Sequence, residues 1–226
     1  MKRFLVALAL VLTASVSYAE RHGYQPVYEV TITNITKASQ FTPILAATHK
    51  RSISYFELGA PASPGLALMA EGGDVSVLAE ELLSTGKVVD TANSADVLGS
   101  PPLLFAGQSV TLKLEGDRKR HARFSLAAMI LPTNDSFVAL NSVSLPRFGT
   151  RTYYALGYDA GSEPNDEYCA NIPGPLCDGE GASPDAQPGD EGFVHVANGI
   201  QGSGDVNPNT YDWRNPIAKI VIKRVR

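Results

Sequence analysis

Three segments of the chain alternate apolar and polar side chains with a period of two, and that alternation demands strands buried on one face. In Tyr28–Ile35, Tyr28, Val30 and Ile32 share one side while Glu29, Thr31 and Thr33 share the other. Ser109–Leu114 groups Val110, Leu112 and Leu114, and Ile217–Val225 supplies a terminal strand with Lys219 and Lys223 on one face. Phe41–Thr48 is a further extended segment, in which Pro43 marks an edge or a bend. Glu115-Gly116-Asp117 has turn chemistry, and the apolar run Arg123–Leu131 follows it, so a hairpin of 109–114 with 123–131 is predicted. Helical spacing is clear once. Asp74 stands as an N-cap, and Val75, Leu78 and Leu82 recur until Gly86, predicting one helix of about three turns. The Pro/Gly-rich Gly59–Gly65 reads as a loop, and Phe137–Leu140 continues the apolar sequence beyond 131. No internal repeat and no linker divides the chain. The expectation is one all-β domain, an antiparallel β-sandwich with one short helix.

The N-terminus carries a different signal. Lys2 and Arg3 precede the apolar Phe4–Leu12, and Ser17 and Ala19 place small residues at −3 and −1 of a cleavage site. Residues 1–19 therefore read as an export signal and 20–226 as the mature domain; a buried N-terminal helix is the alternative. With 19 basic and 23 acidic side chains the net charge is −4, and loss of Lys2 and Arg3 makes the mature part more acidic still. That balance argues against a nucleic-acid partner. Downstream of residue 20 no stretch approaches the roughly 18 apolar residues of a spanning helix, so no transmembrane segment is expected in the mature chain. The expected location is periplasmic or secreted. Cys169 and Cys177 have seven residues between them, and in an oxidising compartment a pair this close forms a local disulfide. A thiolate metal site is the lesser reading, because there is no C-x2-C spacing and no histidine within ten residues of either cysteine. Arg118, Lys119, Arg120, His121 and Arg123 cluster near the predicted hairpin tip, either as a ligand-binding knob or as a solvated turn that discourages edge aggregation.

Between Asp159 and Asp205 lie 47 residues with ten acidic side chains and no lysine or arginine. Crowded carboxylates raise one another's pKa unless water, salt or a bound cation compensates. A hard divalent ion such as Ca²⁺ suits carboxylates on an irregular backbone rich in glycine and proline, although a solvated acidic loop satisfies the same composition. His22, His49, His121 and His195 are dispersed without H-x-x-x-H spacing, and Asp159–Asp166 does not align with an EF-hand. There is no G-x-S-x-G elbow, Walker loop or G-x-G-x-x-G helix start, and nothing selects a glycosidase pair among the acids. Trp213 reads either as a core anchor, with Asp212 and Arg214 fixing the turn, or as part of a surface recognition patch.

Three stretches together resemble the spondin N-terminal domain, in the form found in exported bacterial proteins. Met129-Ile-Leu-Pro-Thr-Asn-Asp135-Ser-Phe-Val-Ala-Leu140 is similar to its M-I-x-P-S-x-D-W-F-V-G-L segment. Tyr158-Asp159-Ala-Gly-Ser-Glu163 is similar to its D-A-G-T-D element. Val196-Ala-Asn-Gly-Ile200-Gln-Gly and Asp212-Trp-Arg-Asn-Pro216-Ile-Ala are similar to its N-G-I-H-G and D-W-R-N-P-V-A elements. The resemblance implies a C2-like β-sandwich with Ca²⁺ held by loops at one end, and Asp135, Asp159 and Glu163 as metal ligands. Glu163 departs from the usual aspartate, and its extra methylene moves the carboxylate outward, so that the alternatives to direct ligation are binding through water or none at all. The implied function is an exported calcium-binding adhesion or recognition module without catalysis, its partner an extracellular protein, a matrix or a surface ligand. Calcium-dependent attachment to anionic lipid and a metal-dependent hydrolase are the alternatives.

Overall fold

Each alternating segment forms a strand with the faces its pattern assigns. In the computed structural model, which describes residues 25–117, 122–182, 188–214 and 216–226, β1 (Val27–Asn34) buries Tyr28, Val30 and Ile32. The expected export signal and the basic residues Arg118, Lys119, Arg120 and His121 lie outside the described residues. The extended segment around Pro43 is split into β2 (Gln40–Phe41) and β3 (Leu45–Lys50). After two helices come β4 (Val88–Asn93), β5 (Ser109–Glu115), β6 (Ala122–Leu131), β7 (Ser136–Ser144) and β8 (Thr150–Asp159). The two-residue β9 (His195–Val196) and the terminal β10 (Ala218–Arg224) complete an all-antiparallel set of ten strands.

The strands form an all-β sandwich. Along the path β4-β3-β6-β7-β8-β10-β1-β5, strand β8 turns the corner between the layers. Its N-terminal half, Thr150–Ala155, pairs with β10, and its C-terminal half, Leu156–Asp159, pairs with β7. The two free edges also approach, since the Glu115 N–H donates to Asp90 Oδ2 at 2.7 Å and Thr48 Oγ1 donates to the Glu115 carbonyl at 2.5 Å. The sheet is nearly closed, leaving little edge for association.

Two expectations are corrected. β5 and β6 are not a hairpin: β5 pairs with β1, and β6 sits between β3 and β7. The reason is the run of buried residues from Phe124 to Leu131, which needs cover on both faces. Phe124, Leu126, Ala128 and Ile130 face the sandwich core with Val30, Leu112 and Ile220. Ala127 faces the other way, with Ala139 and Phe137, against helical residues Leu66, Met69 and Leu78. Nor is there one helix in this region. The expected one is α2 (Ser76–Ser84), where the Ser76 N–H bonds Asp74 Oδ1 at 2.8 Å, but α1 (Pro64–Gly72) precedes it and begins inside the predicted loop. A four-residue α3 (Pro208–Tyr211) lies before β10.

The acidic insertion is folded onto the sandwich. Ile172, Cys177, Ile200, Val206 and Trp213 belong to the main core, so Trp213 is the anchor of the two readings given to it. Cys169 and Cys177 are disulfide-bonded.

Candidate metal site at the acidic pole

Asp135 closes the tight turn between β6 and β7. Thr133 Oγ1 donates to the Ile130 carbonyl at 2.6 Å and accepts the Ser136 N–H at 3.2 Å, and residues 133–136 are all buried. The β7–β8 register sets Ser136 opposite Asp159, which places Asp135 beside Ala160, whose N–H donates to the Asp135 carbonyl at 3.2 Å. On the far side of β8, β9 sets His195 opposite Asp159. Adjacent strand ends thus bring together Asp135, Asp159 and His195.

Past Asp159 the chain reverses at Gly161, whose φ is +65° and whose N–H donates to Asp159 Oδ1 at 2.9 Å. A Cβ there would lie 2.4 Å from the Phe193 carbonyl oxygen, so glycine is required twice over. The reversal aims the N–H groups of Ser162 and Glu163 at Asp135 Oδ2, at 2.8 and 3.1 Å. Asp135, Asp159 and Glu163 are all buried, and Glu163 meets Asp135 through its backbone N–H. The Glu163 side chain lines a cleft of about 350 Å³ together with Asn134, Asp166 and Glu180. Asn134 fixes this part of the insertion, donating to Asp166 Oδ1 at 3.0 Å and accepting the Glu167 N–H at 3.2 Å. Glu167 in turn gathers the N–H groups of Gln201, Gly202 and Ser203 at 2.6–2.9 Å.

The electrostatics of the cluster are unbalanced. Asp135 Oδ1 is buried and accepts no hydrogen bond. Burial pushes the Asp135 carboxyl up to about 8, helped by the charges of Asp159 and Glu191 and opposed by the two N–H donors on Oδ2. His195 Nδ1 lies 3.0 Å from the Val196 carbonyl, which can only accept, so that nitrogen carries a proton. Its Nε2, 3.4 Å from Asp159 Oδ1, then presents a lone pair to a carboxylate unless a second proton or a metal ion stands between them. Donor atoms of Asp159, Glu191 and His195 all lie within 4.8 Å of one another. A divalent cation fits this set, where it would relieve the facing acceptors of His195 and Asp159. Asp159, Glu191 and His195 could hold it, while Asp135 and Glu163 stand outside that group of donor atoms.

No motif in the sequence marks Glu191 or His195 as a site residue. Glu191 was one acid among ten, and His195 reaches Asp159 only through a two-residue strand 36 positions downstream.

Fold and site together define an all-β sandwich module with a buried carboxylate cluster at one loop pole. The chain belongs to the spondin N-terminal family, whose model (Spondin_N) matches residues 30–169. The matched segment contains Asp135, Asp159 and Glu163, whereas Glu191 and His195 lie beyond it. Among curated proteins no match to the chain is found. Membership supports an extracellular recognition or adhesion module. The disulfide fits an exported protein, and no described helix is long and apolar enough to cross a membrane.

Proposed function

We propose that the protein is an exported, non-catalytic adhesion or recognition module whose acidic pole is ordered by Ca²⁺ held by Asp135, Asp159 and Glu163. The observation that carries this reading is the bare Oδ1 of Asp135, buried beside a second buried carboxylate in a segment devoid of lysine and arginine. A hard divalent ion with oxygen ligands suits these carboxylates and would hold that of Asp135 ionised at neutral pH. Its role is to fix the surface around it. Beside His195 the pole exposes Phe193 and Val196, 43% and 50% accessible, and such apolar groups on an ordered rim suit contact with a protein or matrix partner.

Thermal melts test the reading. Calcium at 100 times its dissociation constant adds about 2.7 kcal/mol, which for a domain of this size raises Tm by roughly 5–10 °C over protein in EDTA. Asp159→Ala is expected to abolish that difference. Coincident melting curves in EDTA and millimolar calcium would rule the ion out. The imidazole of His195 favours a second reading, a softer ion such as Zn²⁺ bound with Asp159 and Glu191. His195→Ala separates the two, since it removes a zinc response and leaves a calcium response in place.

A further inference from the structure

The pole opposite the buried carboxylates carries a cluster of arginines. There β3 ends, β6 begins, β7 ends and β8 begins, and around these strand ends lies a cleft of about 530 Å³. Its walls carry Arg51, Arg123, Arg147 and Arg151 with Ser144 and Phe148 and, among the described residues, no carboxylate. Among the described residues none of these four arginines has an acidic partner. Arg123 bonds the Ser144 hydroxyl and Arg151 the Tyr153 hydroxyl at 3.3 Å, both neutral groups, while ion pairs form elsewhere. Four guanidinium groups around one concavity repel one another, and an anion in the concavity relieves that.

The rim adds a second feature. Phe148, at the tip of the turn Pro146-Arg147-Phe148-Gly149, is 79% exposed, the most exposed large apolar side chain described. The turn is braced, since Arg224 Nη1 donates to the Arg147 carbonyl at 2.7 Å and the Arg224 N–H to the Gly149 carbonyl at 2.9 Å. The ring is thus held out in water between two arginines of the cleft. A free phosphate would use the arginines and leave Phe148 idle. A membrane surface uses both, because its phosphates match the planar donor forks and its acyl boundary takes up an aromatic ring.

We propose that this pole attaches to anionic phospholipid headgroups: Arg51, Arg123, Arg147 and Arg151 grip the phosphates and Phe148 enters the acyl boundary. Attachment here needs no metal, unlike the calcium-dependent lipid binding that an acidic loop would mediate, and leaves the acidic pole facing away from the membrane.

The test is co-sedimentation of the full chain with vesicles of phosphatidylcholine alone or with one-third phosphatidylglycerol, in EDTA and in calcium. The expected result is binding to the anionic vesicles only, equal in both media and weaker at high salt. Arg147→Ser and Arg151→Ser should each weaken it about fivefold, at about one kcal/mol per surface arginine. Phe148→Ser, which keeps every charge, should weaken it comparably. All three residues are exposed, and melting curves matching the parent show that each variant folds; Arg51→Ser serves if one does not. Equal binding to neutral vesicles, or binding lost in EDTA, overturns the proposal. So does full affinity in Phe148→Ser with displacement by millimolar inorganic phosphate, which would make the cleft a soluble-anion site.

Discussion

Gly161 and His49 are the residues whose surroundings leave the fewest alternatives. At Gly161 an alanine must adopt a left-handed conformation, costing about 1–2 kcal/mol, and must also displace the Phe193 carbonyl. Gly86 has a similar φ of +62° but open space around its missing Cβ, so Gly86→Ala isolates the conformational cost. Gly161→Ala should lower Tm by more than Gly86→Ala, and only Gly161→Ala should reduce the calcium-induced rise in Tm. Equal losses with an intact calcium response would show that the turn at 161 does not set the carboxylate geometry. His49 is fully buried, with Nδ1 2.9 Å from the Lys50 carbonyl and Nε2 2.8 Å from Ser125 Oγ. The carbonyl fixes the proton on Nδ1, so Nε2 accepts from the Ser125 hydroxyl, and that hydroxyl oxygen accepts the Ser142 N–H at 2.8 Å. Burial lowers the His49 pKa, the Lys50 carbonyl opposes this, and the charge of Arg123 adds to the lowering. A histidine with a folded pKa below its unfolded value binds more protons when unfolded. Its stabilising contribution is present above the unfolded pKa of about 6.5 and is lost as pH falls through the folded pKa. Melting temperatures measured from pH 7 down to pH 5 should therefore fall, and fall less steeply in His49→Gln; parallel slopes would remove His49 from the acid response.

At the scale of elements, the two helices that cover the outer face depend on a close crossing. Ser63 caps α1, its Oγ accepting the Leu66 N–H at 3.2 Å, and Glu81 of α2 receives the Ser63 hydroxyl at 2.7 Å and the Gly65 N–H at 2.8 Å. A Cβ on Gly65 would stand 2.6 Å from the Leu78 backbone, so Gly65→Ala must part the helices and uncover Leu66, Met69 and Leu78. The expected loss is about 1–3 kcal/mol, measured by denaturant unfolding. Loss below half a kcal/mol would mean that the helices slide without cost. α1 was hidden in the sequence because its signals double as loop punctuation: Pro64 occupies the first turn and glycines mark its end, over only nine residues. Strands β1, β5 and β10 were legible because each has one buried and one wetter face. β4 was not, since all six of its residues are half-buried and show no alternation. The mistaken hairpin has a related cause. Turn chemistry at 115–117 is a local property, whereas the choice of β1 as the partner of β5 is made by strands far along the chain.

Over the whole molecule, the buried carboxylates and the arginine-lined cleft lie at opposite ends of the sandwich. At the acidic end the insertion is pinned at separate points, by Asn134 to residues 166–167, by Asp135 to residues 162–163 and by Ile172 and Cys177 in the core, and the disulfide closes a loop within it. Asp135, Asp159 and Glu163 could be singled out in the sequence because they stand in short motifs. The contribution of Glu191 and His195 could not, because it arises where the insertion returns to β8, and no spacing encodes that return. The geometry also limits what calcium can stabilise. Of the proposed ligands Asp135 stands just before β7 and Asp159 ends β8, and Glu163 and the adjoining Glu191 lie in the insertion, so the paired lengths of β1, β5 and β10 make no contribution to the site. Their exchange is governed by the apolar core, which does not change when the ion leaves. Hydrogen exchange should therefore divide the molecule. Transfer from calcium to EDTA is expected to speed exchange at residues 160–167 and 189–196 by tenfold or more, to leave β1, β5 and β10 unchanged, and to leave the far-ultraviolet circular dichroism intact. In Asp159→Ala the first group should exchange at the EDTA rate in either medium. Acceleration spread evenly over all strands would mean that the ion supports the entire sandwich, and the acidic pole would no longer be a separately ordered surface.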